Sequence, residues 1–341
     1  MLYLISIGIF DRGLVRIQIM DAITPFAIKK HTTLVNRFST SVTASQLEVK
    51  SVGWIIYGSH LSPLHTKDIY FFVGMTTKVI RTWKVGDYEV AAIAGEMTPE
   101  HKIIVDELGL DYAEIKDIPD LSNPGIILFD MDSTTIEIEC IDEIAKLAGV
   151  GEQVSEVTER AMLGELDFKE SLIQRVSTLE GASESILAQV KETLPFMPEM
   201  RELVMTMQNY GWKVAIASGG FTYFSDYLKE ELNLVHAQSN QLEIIDGKLT
   251  GKVLGDIVSA ETKADILIEL ADKYDIEMSN TVAVGDGAND LVMMSAAGLG
   301  IAYHAKPKVQ EQAQAAVRYA DLGGVACILS ASLLMNNKLS W

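Results

Sequence analysis

The chain has 341 residues, of which 48% are hydrophobic and 22% charged, and its 47 acidic and 28 basic side chains give a formal net charge of −19. Such a composition is typical of an ordered globular protein, and the excess of negative charge disfavours nucleic acid and anionic membranes as partners. The length exceeds what one hydrophobic core usually serves, so we expect two domains or one domain with an insertion.

The cysteines, the histidines and the N-terminus indicate the compartment. Cys140 and Cys327 lie far apart without CxxC spacing, which favours a reducing compartment over a disulfide framework or a structural zinc site. The six histidines form no HxxxH or HxH pair, so a histidine-ligated metal is disfavoured. The first residues, MLYLISIGIFDR, lack a basic leader, and their apolar run is too short to span a bilayer. We predict a cytoplasmic protein whose N-terminus forms a strand.

The first hundred residues carry mainly strand patterns. Alternating or continuous apolar residues predict strands at 15–19, 69–73, 79–85 and 88–94. Gly86-Asp87 between the last two predicts a hairpin, and Thr98-Pro99-Glu100 predicts the start of a helix. Because no constellation of catalytic residue types appears here, residues 1–115 are predicted to form an α+β accessory domain. The polar segment 116–125, with two prolines, is predicted to be a linker.

After residue 125 the pattern changes to strands that alternate with helices. Short apolar strands without polar alternation are predicted at 126–130, 213–217 and 281–285. Apolar residues at helical spacing begin at Ile141, Met200 and Leu267 and predict three helices. Strands of this kind suit a parallel sheet that is covered on both faces, so residues 126–341 are predicted to form a doubly wound α/β domain. The helical stretch at about 140–195 contains no such strand and is predicted to be an inserted cap.

Polar residues follow each of these three strands. Asp130 and Asp132 end the first strand, Ser218 follows the second and Asp286 follows the third. Because ligands bind at the carboxyl ends of strands in an open parallel sheet, these side chains are expected to converge. Lys263 lies near the start of the helix that precedes the third strand. Two carboxylates so close together repel each other, and a bound cation would offset that repulsion.

This combination of side chains fits phosphoryl transfer. Carboxylate oxygens suit Mg²⁺, which prefers a few carboxylates, several waters and a substrate phosphate. Asp130 would be the nucleophile that forms an aspartyl-phosphate, and Asp132 would act as general acid and then as general base. Ser218, the glycine N–H groups and Lys263 would hold the phosphate oxygens and offset charge in the transition state. Each element alone has a simpler interpretation, as a turn, a helix cap or a surface lysine.

Four elements of the sequence together resemble the motifs of the haloacid-dehalogenase-like phosphatases. They are FDMDST at 129–134, IASGGF at 216–221, Lys263, and VGDGANDLVM at 284–293, and the resemblance extends from about residue 124 to about 320. It implies a Rossmann-like core with a small helical cap after the first motif, and it implies Asp130 as nucleophile and Asp132 as general acid/base. The metal ligands that it implies are Asp130, the Asp132 backbone carbonyl and Asp286. It implies phosphate contacts from Ser218, Gly219, Lys263 and Asn289. It also implies that Asp290 supports the metal site from behind.

The motifs are most similar to those of family members that hydrolyse O-phospho-L-serine, which implies L-serine and phosphate as products and a place at the last step of serine biosynthesis. In those members a glutamate contacts the substrate ammonium and a cap arginine its carboxylate, and Glu139 and Arg175 stand at these positions. A carboxylate and a guanidinium that face one small pocket can recognise a zwitterion, and Phe168 would cover the pocket. From the residues alone, an acid at a helix N-terminus and a solvated arginine explain Glu139 and Arg175 equally well.

Several interpretations remain open at this point. The first domain resembles the N-terminal extension of longer bacterial members, which is ACT-like in some, so amino-acid sensing, homodimerisation and a structural role are all considered. The catalytic domain could instead pass phosphate to another alcohol, or act on another small phosphate monoester. A non-catalytic phospho-aspartate switch is disfavoured, because Asp132 would make hydrolysis fast. A dinucleotide-binding oxidoreductase is disfavoured, because DMDST replaces GxGxxG after the first strand.

Overall fold

The computed structural model describes residues 23–40 and 46–341. The strands predicted at 15–19 and at the N-terminus lie outside the described residues. The β-strands are β1 Ile28–Lys29, β2 Val52–Gly58, β3 Val79–Val85, β4 Tyr88–Ala94, β5 Asp111–Glu114, β6 Ile126–Phe129, β7 Lys213–Phe221, β8 His236–Ile245, β9 Lys248–Leu254, β10 Thr281–Gly285, β11 Leu299–Tyr303 and β12 Ala315–Val317. The α-helices are α1 Thr32–Arg37, α2 Gln46–Val49, α3 Pro63–Val73, α4 Pro99–Glu107, α5 Cys140–Ala148, α6 Gly151–Met162, α7 Phe168–Ser177, α8 Ser185–Glu192, α9 Met200–Asn209, α10 Thr222–Glu231, α11 Ala260–Lys273, α12 Leu291–Ala296, α13 Pro307–Gln312 and α14 Gly323–Met335.

The N-terminal part of the described chain is an antiparallel sheet in the order β1-β3-β4-β2-β5. The predicted hairpin is confirmed, and Gly86 in its turn takes a φ of +55°, a left-handed conformation that glycine adopts without strain. The two faces of β2 serve different cores, since Trp54 and Ile56 pack in the cluster under α3 and α4 while Ile55 and Tyr57 belong to the main core. This alternation is the period of a strand buried on both faces.

The prediction of a strand at 69–73 is wrong, because these residues form the last turns of α3. Ser62 caps the helix through a hydrogen bond from the Leu64 N–H, and Pro63 occupies the first turn. Gly74 ends the helix in the left-handed conformation. The Ser-Pro start and the glycine stop are helix signals, and they outweigh a short apolar run that fits a strand or a helix equally well.

The C-terminal part contains the second sheet, in the order β12-β11-β10-β6-β7-β8-β9. Its strands are parallel except for the β8–β9 hairpin, and helices pack against both of its faces. The predicted fold class is therefore confirmed: an α/β core, preceded by an antiparallel sheet with helices. β6 lies between β10 and β7, so the predicted motif strands are neighbours in the sheet.

Five helices, α5 to α9, lie between β6 and β7; the first four form the helical cap, and α9 packs against β7 and α14 of the core. The loop after α7 is attached to the β8–β9 hairpin by backbone hydrogen bonds, from the Gly181 N–H to the Leu249 oxygen at 2.8 Å and from the Leu249 N–H to the Ala182 oxygen at 2.9 Å. The C-terminal end of α7 is therefore attached to the core, while Phe168 at the N-terminus of the helix lies against Gly219 of β7.

Helix α14 joins the two sheets. Nearly all of its residues are buried, because the N-terminal sheet packs on one side of it and α9 of the core on the other. Its polar groups are satisfied within this interface: the Trp83 Nε1–H donates to Ser330 Oγ at 2.8 Å, and the Leu121 N–H donates to Ser332 Oγ at 2.9 Å. A helix that is apolar on all sides must be buried on all sides, so the N-terminal sheet completes the burial of the C-terminal helix. Within residues 23–40 and 46–341, no helix combines the length and apolar character needed to cross a membrane.

Candidate active site

The carboxyl ends of β6, β7 and β10 bring the predicted motif residues together. In the parallel register, Phe129 lies beside Val284 and Ile216, so Asp130, Ser218 and Asp286 follow at one edge of the sheet. All of the predicted site residues except Lys263 and Asp290 line a single cavity of about 230 Å³ at this edge. A cavity of this size admits only a small molecule.

Lys263 lies beneath the cavity and links two of its carboxylates. It belongs to the first turn of α11 and is 1% exposed. Its Nζ lies 2.9 Å from Asp130 Oδ2 and 2.7 Å from Asp290 Oδ1. Burial alone would lower the pKa of Lys263, but the carboxylates of Asp130 and Asp290 raise it above its ordinary value, so the ammonium stays charged. The fixed positive charge is therefore directed at Asp130, the predicted nucleophile.

Three carboxylates converge at the position predicted for the metal. One oxygen each of Asp130, Asp286 and Asp290 lies within 4.8 Å of the others. Burial and the charges of Asp130 and Asp290 raise the pKa of Asp286 to about 7, and burial and the charge of Asp130 raise the pKa of Asp290 to about 7 against the opposing effect of Lys263. This mutual repulsion is what a hard divalent cation would relieve, so the donor set fits an oxygen-ligated metal ion.

The side chain of Asp290 is held by the protein at both oxygens. Oδ1 accepts from Lys263 Nζ, and Oδ2 accepts from the Gly287 N–H at 3.1 Å. A Cβ atom on Gly285 would collide with this carboxylate, so glycine is required there to let Asp290 approach β10. Both Asp290 oxygens are therefore already engaged by the protein.

Asp132 is in a different environment from Asp130. Its Oδ1 accepts from the Cys140 N–H at 3.2 Å, at the N-terminus of α5. Burial, with the nearby charges of Glu139 and Asp130, raises the pKa of Asp132 well above its usual value. A raised pKa favours the protonated form of a carboxyl group, and a protonated carboxyl can donate to a leaving oxygen, which is the task of a general acid.

The three hydroxyl residues that follow Asp132 each have a separate partner in the site. Ser133 has a φ of +56°, and its Oγ–H donates to Glu139 Oε1 at 2.8 Å. Thr134 Oγ1 donates to Asp286 Oδ1 at 3.3 Å, and Thr135 Oγ1 donates to the Asp130 backbone oxygen at 2.6 Å. These three residues were not among those predicted from the sequence, although three consecutive hydroxyls directly after the aspartates are a signal that the sequence offers.

The loop at Ser218 closes the cavity from the β7 side. The Gly220 N–H donates to Ser218 Oγ at 2.9 Å, and Ser218 is 1% exposed. The ring of Phe168, at the start of α7, packs directly against Gly219, where a Cβ atom would collide with it. Phe168 therefore lines the cavity, and the absence of a side chain at Gly219 is what permits the close contact.

Glu139 and Arg175 supply opposite charges to the same cavity. Glu139 caps α5 without a side-chain capping bond, and instead accepts from Ser133. Among the described residues, the two side chains form no ion pair with each other, and the buried Nε of Arg175 has no hydrogen-bond partner. Burial lowers the pKa of the Arg175 guanidinium, with Glu139 the main opposing charge. A buried guanidinium nitrogen without a partner indicates a binding site for a ligand acceptor.

A parallel-sheet core, a helical cap and a buried Asp-x-Asp site with a lysine beneath it define a class of hydrolases. A model of the haloacid dehalogenase-like hydrolases matches residues 125–298, about half of the chain, and the chain belongs to this family. Residues 50–114 match a domain of unknown function, DUF5609.

Individual relatives are similar over more of the chain. The phosphoserine phosphatase of Vibrio cholerae serotype O1 is 64% identical over 322 residues, which cover 94% of this chain and 98% of that protein. The crystal structure of the probable phosphoserine phosphatase from Vibrio cholerae, in unliganded form, superposes with a TM-score of 0.86 at 63% identity over 94% of this chain and 100% of that one. A phosphoserine phosphatase solved as a phospho-aspartyl intermediate analogue superposes with a TM-score of 0.57 at 40% identity over 60% of this chain and 98% of that one.

Proposed function

We propose that this chain hydrolyses O-phospho-L-serine to L-serine and phosphate, with Mg²⁺ as the metal ion and Asp130 as the nucleophile. The observation that carries the proposal is a single cavity lined by Asp130, with Lys263 paired to it from beneath, and by the opposite charges of Glu139 and Arg175. A substrate that carries both a phosphate and a zwitterion matches both sets of side chains. The phosphoserine phosphatases among the relatives support this assignment.

The first chemical step forms a covalent intermediate on the chain. Asp130 Oδ attacks phosphorus, the bond between phosphorus and the serine oxygen breaks, and Asp132 gives its proton to that oxygen. The raised pKa of Asp132 favours the protonated form that this step needs. Lys263, which lies 2.9 Å from Asp130 Oδ2, neutralises negative charge as it develops on the phosphoryl group.

The second step releases phosphate and restores the side chains. Asp132, now a carboxylate, removes a proton from a water molecule, the water oxygen attacks phosphorus, and the bond between phosphorus and Asp130 breaks. Bound Mg²⁺, held by Asp130, the Asp132 backbone carbonyl and Asp286, would neutralise phosphate oxygens during both steps. Ser218, Gly219 and Asn289 would position those oxygens, and Phe168 would exclude bulk water.

The cap arginine is expected to determine the preference for a substrate with a carboxylate. Arg175→Ala should lower kcat/KM for O-phospho-L-serine by roughly 100-fold, because hydrogen bonds to charged groups contribute about 1.5–3 kcal/mol each and about 1.4 kcal/mol is tenfold. The same change should leave p-nitrophenyl phosphate, which has no carboxylate, within about threefold. Phosphate release from both esters measures the difference.

Arg160 provides a matched control for this variant. It is another cap arginine, on α6, and its guanidinium is already hydrogen-bonded to Glu165 and Gln174 at the surface. Arg160→Ala is expected to leave kcat/KM unchanged for both esters. Equal losses for both esters in Arg175→Ala would remove Arg175 from substrate recognition and would leave the carboxylate without an assigned partner.

The remaining sequence predictions complete the proposal. We retain the division into an accessory domain at 1–115, a linker at 116–125 and a catalytic domain at 126–341 with its cap at about 140–195. The cytoplasmic location rests on two cysteines that are free and buried, and homodimerisation rests on the resemblance of the first domain to extensions in longer members.

Transfer of phosphate to another alcohol is the alternative reaction. Product analysis with added alcohols tests it, and formation of a new phosphate ester would show that the chain is a phosphotransferase.

A further inference from the structure

Asn240 lies on β8, next to the segment 218–220 of β7 that we call the phosphate loop. It does not line the cavity, yet its side chain contacts this loop. It belongs to β8 and is 1% exposed. The pairing of β7 with β8 is interrupted here: Ala217 pairs with Gln238 and Phe221 pairs with Asn240, so three residues of β7 oppose one of β8. The bulged residues are Ser218, Gly219 and Gly220, whose backbone groups leave the β ladder.

The Asn240 amide replaces the missing ladder contacts at this bulge. Its Nδ2 donates to the Gly219 backbone oxygen at 2.8 Å, and its Oδ1 accepts from the Val258 N–H at 2.9 Å. Val258 is buried and directly precedes Ser259, which caps α11 and accepts from the Thr262 N–H. One amide therefore links the loop that carries Ser218 to the start of the helix that carries Lys263.

The contact with Gly219 determines the direction of a second hydrogen bond. The Gly219 oxygen and the Gly220 N–H belong to the same planar peptide unit and point in opposite directions. Fixing the oxygen toward Asn240 therefore directs the Gly220 N–H to the other side, where it donates to Ser218 Oγ. Because Ser218 Oγ already accepts this bond, its own O–H proton is left to donate to a phosphate oxygen.

We infer that Asn240 is a positioning residue, which orients the Ser218 hydroxyl and fixes the distance between the phosphate loop and the Lys263 helix. The inference rests on the proposed function only in taking a phosphate group as the ligand of this loop. Its effect is expected on the phosphate end of the substrate, which all phosphate monoesters share, and not on the end read by Glu139 and Arg175.

Asn240→Ala, measured in the full chain with Mg²⁺, tests this role. We expect kcat/KM to fall by about 10- to 100-fold, the usual range for loss of a residue that orients a ligating group. The decrease should be the same for O-phospho-L-serine and p-nitrophenyl phosphate, and the inhibition constant of inorganic phosphate should rise about tenfold or more. Combining it with Ser218→Ala should give less than the product of the separate losses, because both act through one hydroxyl.

Asn240→Asp separates orientation from simple packing. It retains the size of the side chain and the acceptor for the Val258 N–H, but it places an oxygen against the Gly219 oxygen. We expect a folded variant with a lower Tm, because a buried carboxylate then faces a carbonyl oxygen, and the same weakened phosphate inhibition as in Asn240→Ala.

Asn280 is the matched control, because its amide also bridges two segments, with Oδ1 accepting from the Asp120 N–H and Nδ2 donating to the Pro124 oxygen, at the opposite end of the sheet. Asn280→Ala should lower the Tm but leave phosphate inhibition unchanged. Unchanged phosphate inhibition in both Asn240 variants, or full additivity with Ser218→Ala, would overturn the inference. If the parent hydrolyses only p-nitrophenyl phosphate, the proposed substrate fails, while the Asn240 effect is still measured with that ester.

Discussion

Asp130→Asn is expected to abolish turnover while the protein stays folded. An amide nitrogen or oxygen cannot form the acyl phosphate, so the loss should be on the order of 10⁴-fold or more, as for removal of other nucleophiles. Two of the contacts that hold Asp130 in place are made by its backbone and survive the change, since the N–H donates to the Val284 oxygen and the carbonyl accepts from Thr135 Oγ1. Asparagine retains the side-chain oxygen that accepts from the Met131 N–H.

The measurement is phosphate release from O-phospho-L-serine together with the circular dichroism spectrum and the Tm. Trapping with labelled substrate and acid quench should give a labelled parent protein and an unlabelled variant. Asp265→Asn, an exposed acid on α11, controls for the loss of one negative charge and should retain full activity. Substantial turnover in folded Asp130→Asn would contradict the covalent mechanism, because Asp290, the other carboxylate against Lys263, accepts hydrogen bonds at both oxygens and does not line the cavity.

Lys263→Met is expected to reduce both activity and stability. Removing the ammonium leaves Asp130 and Asp290 buried at 8% and 0% side-chain exposure without their counter-ion, and breaking a buried ion pair from one side costs about 3–5 kcal/mol. Activity should fall at least as steeply as in Asp130→Asn, because the charge that opposes the phosphoryl oxygens is lost. Urea unfolding in the presence of a chelator measures the stability, since a bound cation would replace part of the missing charge.

The stability deficit of Lys263→Met should depend on pH. The pKa of Asp290 is already raised to about 7, and Lys263 is the charge that lowers it, so in the variant the folded pKa rises further above the unfolded value. A folded state that binds more protons than the unfolded state loses stability as the pH rises. The deficit relative to the parent is therefore smaller at pH 6 than at pH 8. Lys273→Met, at an exposed position of the same helix, should show neither effect; a pH-independent deficit would indicate a packing defect instead.

The motif side chains were predictable because each one follows an apolar strand directly in the sequence. The strands at 126–130, 213–217 and 281–285 could be recognised as buried, and the rule that ligands bind at carboxyl ends of parallel strands then placed Asp130, Ser218 and Asp286 together. Lys263 needed the resemblance, because a lysine in the first turn of a helix is ordinarily a surface residue. Its burial depends on two carboxylates that are distant in sequence.

Other features depend on contacts that the sequence does not display. Asn240 resembles any polar residue in a strand, and its role appears only when Gly219 and Val258 approach it from two other segments. The union of the two sheets depends on α14, whose apolar run could have indicated a helix buried on all sides but did not identify the N-terminal sheet as its cover. The run at 69–73 has the apolar residues of a strand and becomes a helix because of its ends.

The most direct test of the account is phosphate release from O-phospho-L-serine, O-phospho-L-threonine and p-nitrophenyl phosphate, with Mg²⁺ and after its removal by a chelator. We predict fast release from O-phospho-L-serine that requires Mg²⁺, and much slower release from the other two esters. Release without preference among the esters would contradict the role of Glu139 and Arg175 and leave the aspartyl-phosphate chemistry in place. No release from any of the three would contradict the hydrolase mechanism itself.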